Sequence, residues 1–184
     1  MNIKIITTQN ILEPGMSMSI RLKLLKIIQS FLGIRYNDLI RTTGFNNGTL
    51  SHHLTTLEKN SIIKILRLEN SNMTRYFSAS IAKEEAIIIG FLKIKSTSQI
   101  INMLIDSHQL SFLGIVKSIK KSPSTTSWNL KRLLEVNIVK RSKLDHVSIY
   151  QLKNPDTIKR LINNSNHTLF DRSVDNFSNL IEGL

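Results

Sequence analysis

Residues 34–64 and 110–140 of this 184-residue chain are one pattern written twice. They align without a gap at an offset of 76, with Thr49 on Thr125, Ser51 on Ser127, Leu54 on Leu130, Leu57 on Leu133, Ile62 on Ile138 and Lys64 on Lys140. Between these identities lie conservative matches: Tyr36 with Phe112, Leu39 with Ile115, Ile40 with Val116, Arg41 with Lys117 and Ile63 with Val139. A repeat whose apolar anchors stay in register is one supersecondary unit used twice. Units of about 60–75 residues lie near the lower limit for independent folding, so each leans on a neighbour or a partner.

The spacing predicts what each unit contains. In the first, Ser19 caps a helix carrying Ile20, Leu24, Leu25, Ile27 and Ile28, and Gly33 ends it. A second helix spans residues 36–43, with Leu39 and Ile40 inward and Gly44 just past its end. A turn at 45–48 leads to a third helix over 48–60. Residues 62–68 and 75–80 read as two strands joined by a polar segment, 69–73. In the second unit, Thr97 or Ser98 caps a helix through Ile100, Ile101, Leu104 and Ile105. Residues 112–119 form the next helix, and Pro123 opens a third where its missing N–H costs nothing. Strands at 138–144 and 147–153 make a tighter ribbon, since Tyr76 matches Tyr150 at an offset of only 74.

A helix-turn-helix followed by a strand pair is a winged helix, so the expected fold is mainly α with small β wings, an α+β class. The expected order is an N-terminal arm (1–18), a first winged helix-turn-helix (19–80), a linking helix (81–95), a second winged helix-turn-helix (96–153) and a C-terminal amphipathic helix (154–184). Ile87, Ile88, Phe91 and Leu92 mark the buried face of the linking helix. Past Pro155, Ile158, Leu161 and Ile162 form one apolar group; Leu169, Phe170, Val174, Phe177, Leu180 and Ile181 form another. That helix covers either its own chain or a second copy, and paired recognition units favour a homodimer through it.

The formal net charge is +12 and the isoelectric point about 10.1. Residues 19–80 carry nine Lys/Arg against three Asp/Glu, and 81–153 carry twelve against five; 154–184 carry three against four. The positive charge therefore sits on the repeated units, which points to a polyanion such as double-stranded DNA. The chain has no Cys, which removes disulfides and thiolate metal sites. The longest apolar run, 86–92, is far too short to span a membrane, and no secretory signal is visible, so no membrane partner and a cytoplasmic location are expected. A phosphate loop, a nucleophile elbow and metal-ligand spacing are all missing. His52 and His53 are adjacent, and His108, His146 and His167 stand apart. We expect no enzyme, no cofactor and no metal.

Placed at helical steps, Leu50, Leu54 and Leu57 share the inward face of the third helix. Opposite lie Gly48, His52, Thr55, Thr56 and Lys59, with Asn47 and Thr49 at the start: short polar groups suited to the major groove. His53 falls on the flank and is expected to pack. In the second unit Thr126, Leu130 and Leu133 face inward, while Ser124, Thr125, Trp128, Lys131, Arg132 and Glu135 face out. Lys131 and Arg132 are long enough to reach guanine edges or phosphates. Trp128 either packs beneath the wing or linking helix, or meets DNA or a second copy. Ser51 and Ser127 are candidates for backbone contacts. Lys64, Arg67 and Arg75 in the first wing, and Lys140, Arg141 and Lys143 in the second, are candidates for phosphate or minor-groove contact, each otherwise a solvated charge.

The run from Thr49 to Glu58, followed by Ile62-Ile63-Lys64, resembles the recognition-helix signature of ArsR-type winged-helix repressors. The run from Ser122 to Glu135 is similar to the matching segment of archaeal regulators with two winged helices in tandem. The resemblance spans residues 19–153 and implies a DNA-binding transcriptional regulator, usually dimeric. Metal-sensing members carry cysteines on the second helix; residues 36–43 have none, so thiolate sensing is not implied. Asn129 stands where the tandem regulators often have His. A second class of function stays open: a winged-helix protein-interaction module of the transcription machinery without base readout. The residues name no small-molecule effector.

Overall fold

Short polar side chains set the start of the key helices. In a computed structural model describing residues 16–67 and 74–170, Asn46 Oδ1 accepts from the Thr49 N–H at 2.8 Å, and Ser122 Oγ accepts from the Thr125 N–H at 3.2 Å. These are the same N-cap in the two copies, each satisfying a backbone donor that a helix cannot pair internally. The helices they open are α3 and α7 below.

The described residues divide into two compact units, the first ending at Ser80 and the second beginning at Ile81. The first contains α1 (Met16–Ser30), β1 (Ile34–Arg35), α2 (Tyr36–Thr43), α3 (Asn47–Lys59), β2 (Ile63–Arg67) and β3 (Thr74–Ser78). The second contains α4 (Lys83–Leu92), α5 (Lys95–Ser107), β4 (Gln109–Ser111), α6 (Phe112–Ile119), α7 (Pro123–Glu135), β5 (Val139–Leu144), β6 (Val147–Leu152) and α8 (Pro155–Phe170). Each has a three-stranded antiparallel sheet, ordered β1-β3-β2 and β4-β6-β5. Tyr76 and Tyr150 hold the same central place: Tyr76 lies between Ile34 and Ile65, Tyr150 between Leu110 and Arg141. Helix, strand, two helices and a strand pair is the order of a winged helix.

The cores follow the repeat. Leu24, Ile28, Leu39, Leu54 and Leu57 are buried in the first unit; Ile100, Leu104, Ile115, Leu130 and Leu133 hold the equivalent places in the second. Each such burial contributes roughly 1.5–3 kcal/mol. At the place of Leu50 the second unit has buried Thr126, whose hydroxyl donates to the Ser122 carbonyl at 3.0 Å. Gly44, at φ 68°, ends α2 in the left-handed conformation that lacks a Cβ penalty. Lys120, at φ 51°, takes the equivalent place after α6 without that advantage.

Several expectations need correction. α1 begins at Met16, three residues before Ser19. α5 begins at Lys95, upstream of both expected caps. Thr97 is instead fully buried, and its hydroxyl contacts the carbonyl oxygens of Phe91 at 2.6 Å and Ile94 at 3.1 Å, joining the end of α4 to α5. The strands β1 and β4 were not anticipated, because two or three residues carry no readable period. α4 packs on α5 and α8 inside the second unit. Ile158 and Leu161 of α8 are buried, and Arg160 pairs with Glu85 of α4. The first half of α8 thus covers its own chain. The arm at 1–15, the segment 69–73, and Val174, Phe177, Leu180 and Ile181 lie outside the described residues. Among the described residues no single helix is long and apolar enough to cross a membrane; α4 and α5 together would be, but they bend by 104°.

Candidate nucleic-acid interface

The third helix of each unit buries one face and leaves the other open. On α3, Asn47, Ser51, His52, Thr55 and Lys59 are exposed, with Thr49 and Thr56 half-buried. The Thr56 hydroxyl donates back to the His52 carbonyl at 3.0 Å, so it is partly spent on its own helix. On α7, Ser124, Thr125, Ser127, Trp128 and Lys131 are exposed. Ser122 Oγ lies 3.1 Å from Ser124 Oγ and 2.8 Å from Thr125 Oγ1, tying the hydroxyls at the helix start together. Lys131 reaches Glu135 one turn on, at 3.9 Å.

Arg132 departs from its expected place. It is only 5% exposed, with its guanidinium 4.5 Å from the Trp128 ring centroid and 5.1 Å from that of Phe91 on α4. A planar, weakly hydrated cation between two aromatic faces is a favourable stack. Its Nη2 has no hydrogen-bond partner among the described residues. Burial pushes its pKa down, while Glu135 pulls it back up. Arg132 in this position cannot read a base. Trp128 covers Arg132 with its ring, and its side chain stays half exposed.

Arg75 is also buried, contrary to its expected place on the first wing's surface. It is 2% exposed inside the first sheet, where Nη1 donates to the Gly33 carbonyl at 2.8 Å. Burial, and then the nearby Arg35 charge, lower its pKa to about 10, with Asp38 acting the other way. An arginine on a central strand, among buried neighbours Tyr76 and Phe77, is no phosphate contact. The first wing offers exposed Arg67 and half-buried Lys64. The second differs: after buried Val139, all five remaining residues of β5 are exposed, including Lys140, Arg141 and Lys143.

Two buried polar groups hold equivalent places on the third helices. His53 is buried, and its Nδ1 has no partner among the described residues. Its pKa is lowered by burial, then by His52 and Arg21. Asn129 in the second unit donates to the Thr125 carbonyl at 2.9 Å and lies 3.2 Å from Ser96 Oγ. Among the described residues no cluster of His, Cys, Asp or Glu could hold a metal ion.

No family model matches the chain, and no curated protein matches it. Solved structures with similar parts include some named as transcriptional repressors. The transcriptional repressor PagR of Bacillus anthracis aligns at 20% identity and a TM-score of 0.39, over 43% of this chain and 90% of that one. HlyU from Vibrio cholerae aligns at 21% and 0.40, over 50% and 100%. The homodimeric winged helix-turn-helix DNA-binding domain of Mb0332 from Mycobacterium bovis aligns at 16% and 0.37, over 46% and 83%. The likeness is loose, and each alignment spans half of this chain or less.

Proposed function

We propose that this chain is a DNA-binding transcriptional regulator built from two tandem winged helices. The α3 and α7 faces enter the major groove, and exposed wing cations hold the phosphate backbone. The observation that carries this reading is the second unit's pairing of an open polar helix face with an exposed strand bearing Lys140, Arg141 and Lys143. The DNA-contacting set is Asn47, Thr49, His52, Thr55, Thr56 and Lys59 on α3, and Ser124, Thr125, Trp128 and Lys131 on α7, with Ser51 and Ser127 bonding the phosphate backbone. Lys64 and Arg67 join the phosphate contacts. Arg75 and Arg132 act as packing residues.

The chain works without catalysis, as a homodimer through its C-terminal segment. Because Ile158 and Leu161 serve their own unit, the seam belongs further along. Removing residues 171–184 should halve the mass in solution while leaving the melting temperature close to that of the full chain.

Titration of the full chain against genomic and random duplexes, across a salt series, tests the regulator reading. It requires preference for certain sites and a log K that falls with log salt by about 0.9 per neutralised phosphate. Flat salt dependence with no duplex preference would instead make this a protein-interaction module.

A further inference from the structure

The large exposed apolar side chains of the described residues include two that are partners. Leu144 and Val147 face each other across the last rung of the β5–β6 ribbon, 56% and 50% exposed. The pair forms one contiguous apolar surface at the end of the ribbon, and covering it would remove apolar area from water. The Asp145-His146 turn joining them has positive φ at both residues, 45° and 68°. That is the tight two-residue connection that matches strand twist, so the tip is one ribbon wide. Side chains alternate along β5, placing Lys140 and Leu144 on one face and Arg141 and Lys143 on the other, all exposed. The result is a narrow apolar tip with cations on both faces behind it.

We infer that this tip is a wedge for the minor groove of double-stranded DNA. Leu144 and Val147 press against a base step while Lys140, Arg141 and Lys143 hold the flanking phosphates. The inference rests on the DNA-binding reading above and adds to it a role in bending the duplex. Apolar wedges pry base steps apart and kink DNA toward the major groove, with least cost at pyrimidine–purine steps. Charge selects a polyanion as occupant. The duplex is favoured over a lipid surface because α7, on which β5 packs, presents its polar face in the same unit. Asp145 carries the one unfavourable charge at the tip, at a left-handed position that Asp and Asn tolerate.

The test uses the full chain and 30-base-pair duplexes selected from a random pool, with a dye at each end. Binding should shorten the end-to-end distance. Leu144→Ser with Val147→Ser should abolish the shortening and weaken binding roughly tenfold with an unchanged salt slope. Asp145→Asn should tighten binding. A double variant that bends and binds like its parent overturns the inference. So does one that bends DNA normally but loses adsorption to phosphatidylserine vesicles, which would assign the tip to lipid. Failure of the parent to bind any duplex would sink the regulator reading itself, a result distinct from binding without bending.

Discussion

Where the first unit has His52, the second has Trp128; where it has Thr56, the second has Arg132; and where it has Arg75, the strand register places Ile149. One backbone plan therefore carries two chemistries. On α3 the outward side chains are short, and Thr56 bonds to its own helix. On α7 a long cation bends back between Trp128 and Phe91. The wings differ in the same way. On the equivalent outer strands, one of the five β2 residues is exposed, whereas five of the six on β5 are. A basic side chain is available to a partner only where the fold leaves it in water. The first unit buries Arg75 in its sheet and the second buries Arg132 against Phe91, and the second keeps three exposed cations on β5.

The largest expected effect breaks the wing comparison. Replacing Lys140, Arg141 and Lys143 together by Ala should weaken duplex binding roughly a hundredfold at low salt and flatten the salt slope by about 0.9 for each phosphate lost. Arg67→Ala in the first wing should do far less. Equal losses in the two titrations would make the wings equivalent.

Next comes Arg132→Ala. With its guanidinium stacked on two rings, the loss should appear as about 1–2 kcal/mol of stability in a denaturant melt. Relative affinities for different duplexes should not change. A change in site preference with unaltered stability would restore the base-reading role. Trp128 is the single Trp, so its emission should also shift in this variant.

Arg75→Ile copies the second unit's residue into the first sheet. Losing one hydrogen bond to Gly33 is offset by removing a desolvated charge, so stability should stay within about 1 kcal/mol of the parent. Duplex affinity should be unchanged, and a measurable loss would return Arg75 to the phosphate contacts.

The smallest effect concerns His53. Its folded pKa lies below its ordinary value of 6.5, so on acidification the unfolded chain takes up the proton first. Stability should therefore fall as pH drops from above 6.5, and His53→Asn, copying Asn129, should flatten that part of the profile. Parallel profiles for the two proteins would show that His53 protonates without penalty.

Much of the plan is legible in the primary structure. Leu54, Leu57, Leu130 and Leu133 repeat at helical spacing, and a face that must leave water declares itself by that period. Gly44 and Pro123 mark boundaries because their backbones restrict what can stand there. The α2 and α6 spans come out as expected, residue for residue. Thr97 shows the limit: a hydroxyl before an apolar run resembles a cap, but whether it is one depends on where the preceding helix ends. β1 and β4 exist only because β3 and β6 offer them an edge.

What the residues decided unaided was the repeated unit, its inward leucines and its concentration of positive charge, since periodicity and charge are properties of neighbours along the chain. Which cations remain in water was settled only in three dimensions. Arg75 and Arg132 are chemically equal to Arg67 and Arg141, and no local pattern separates them. The difference is made by a distant carbonyl at Gly33 and a distant ring at Phe91, groups that only folding brings within reach.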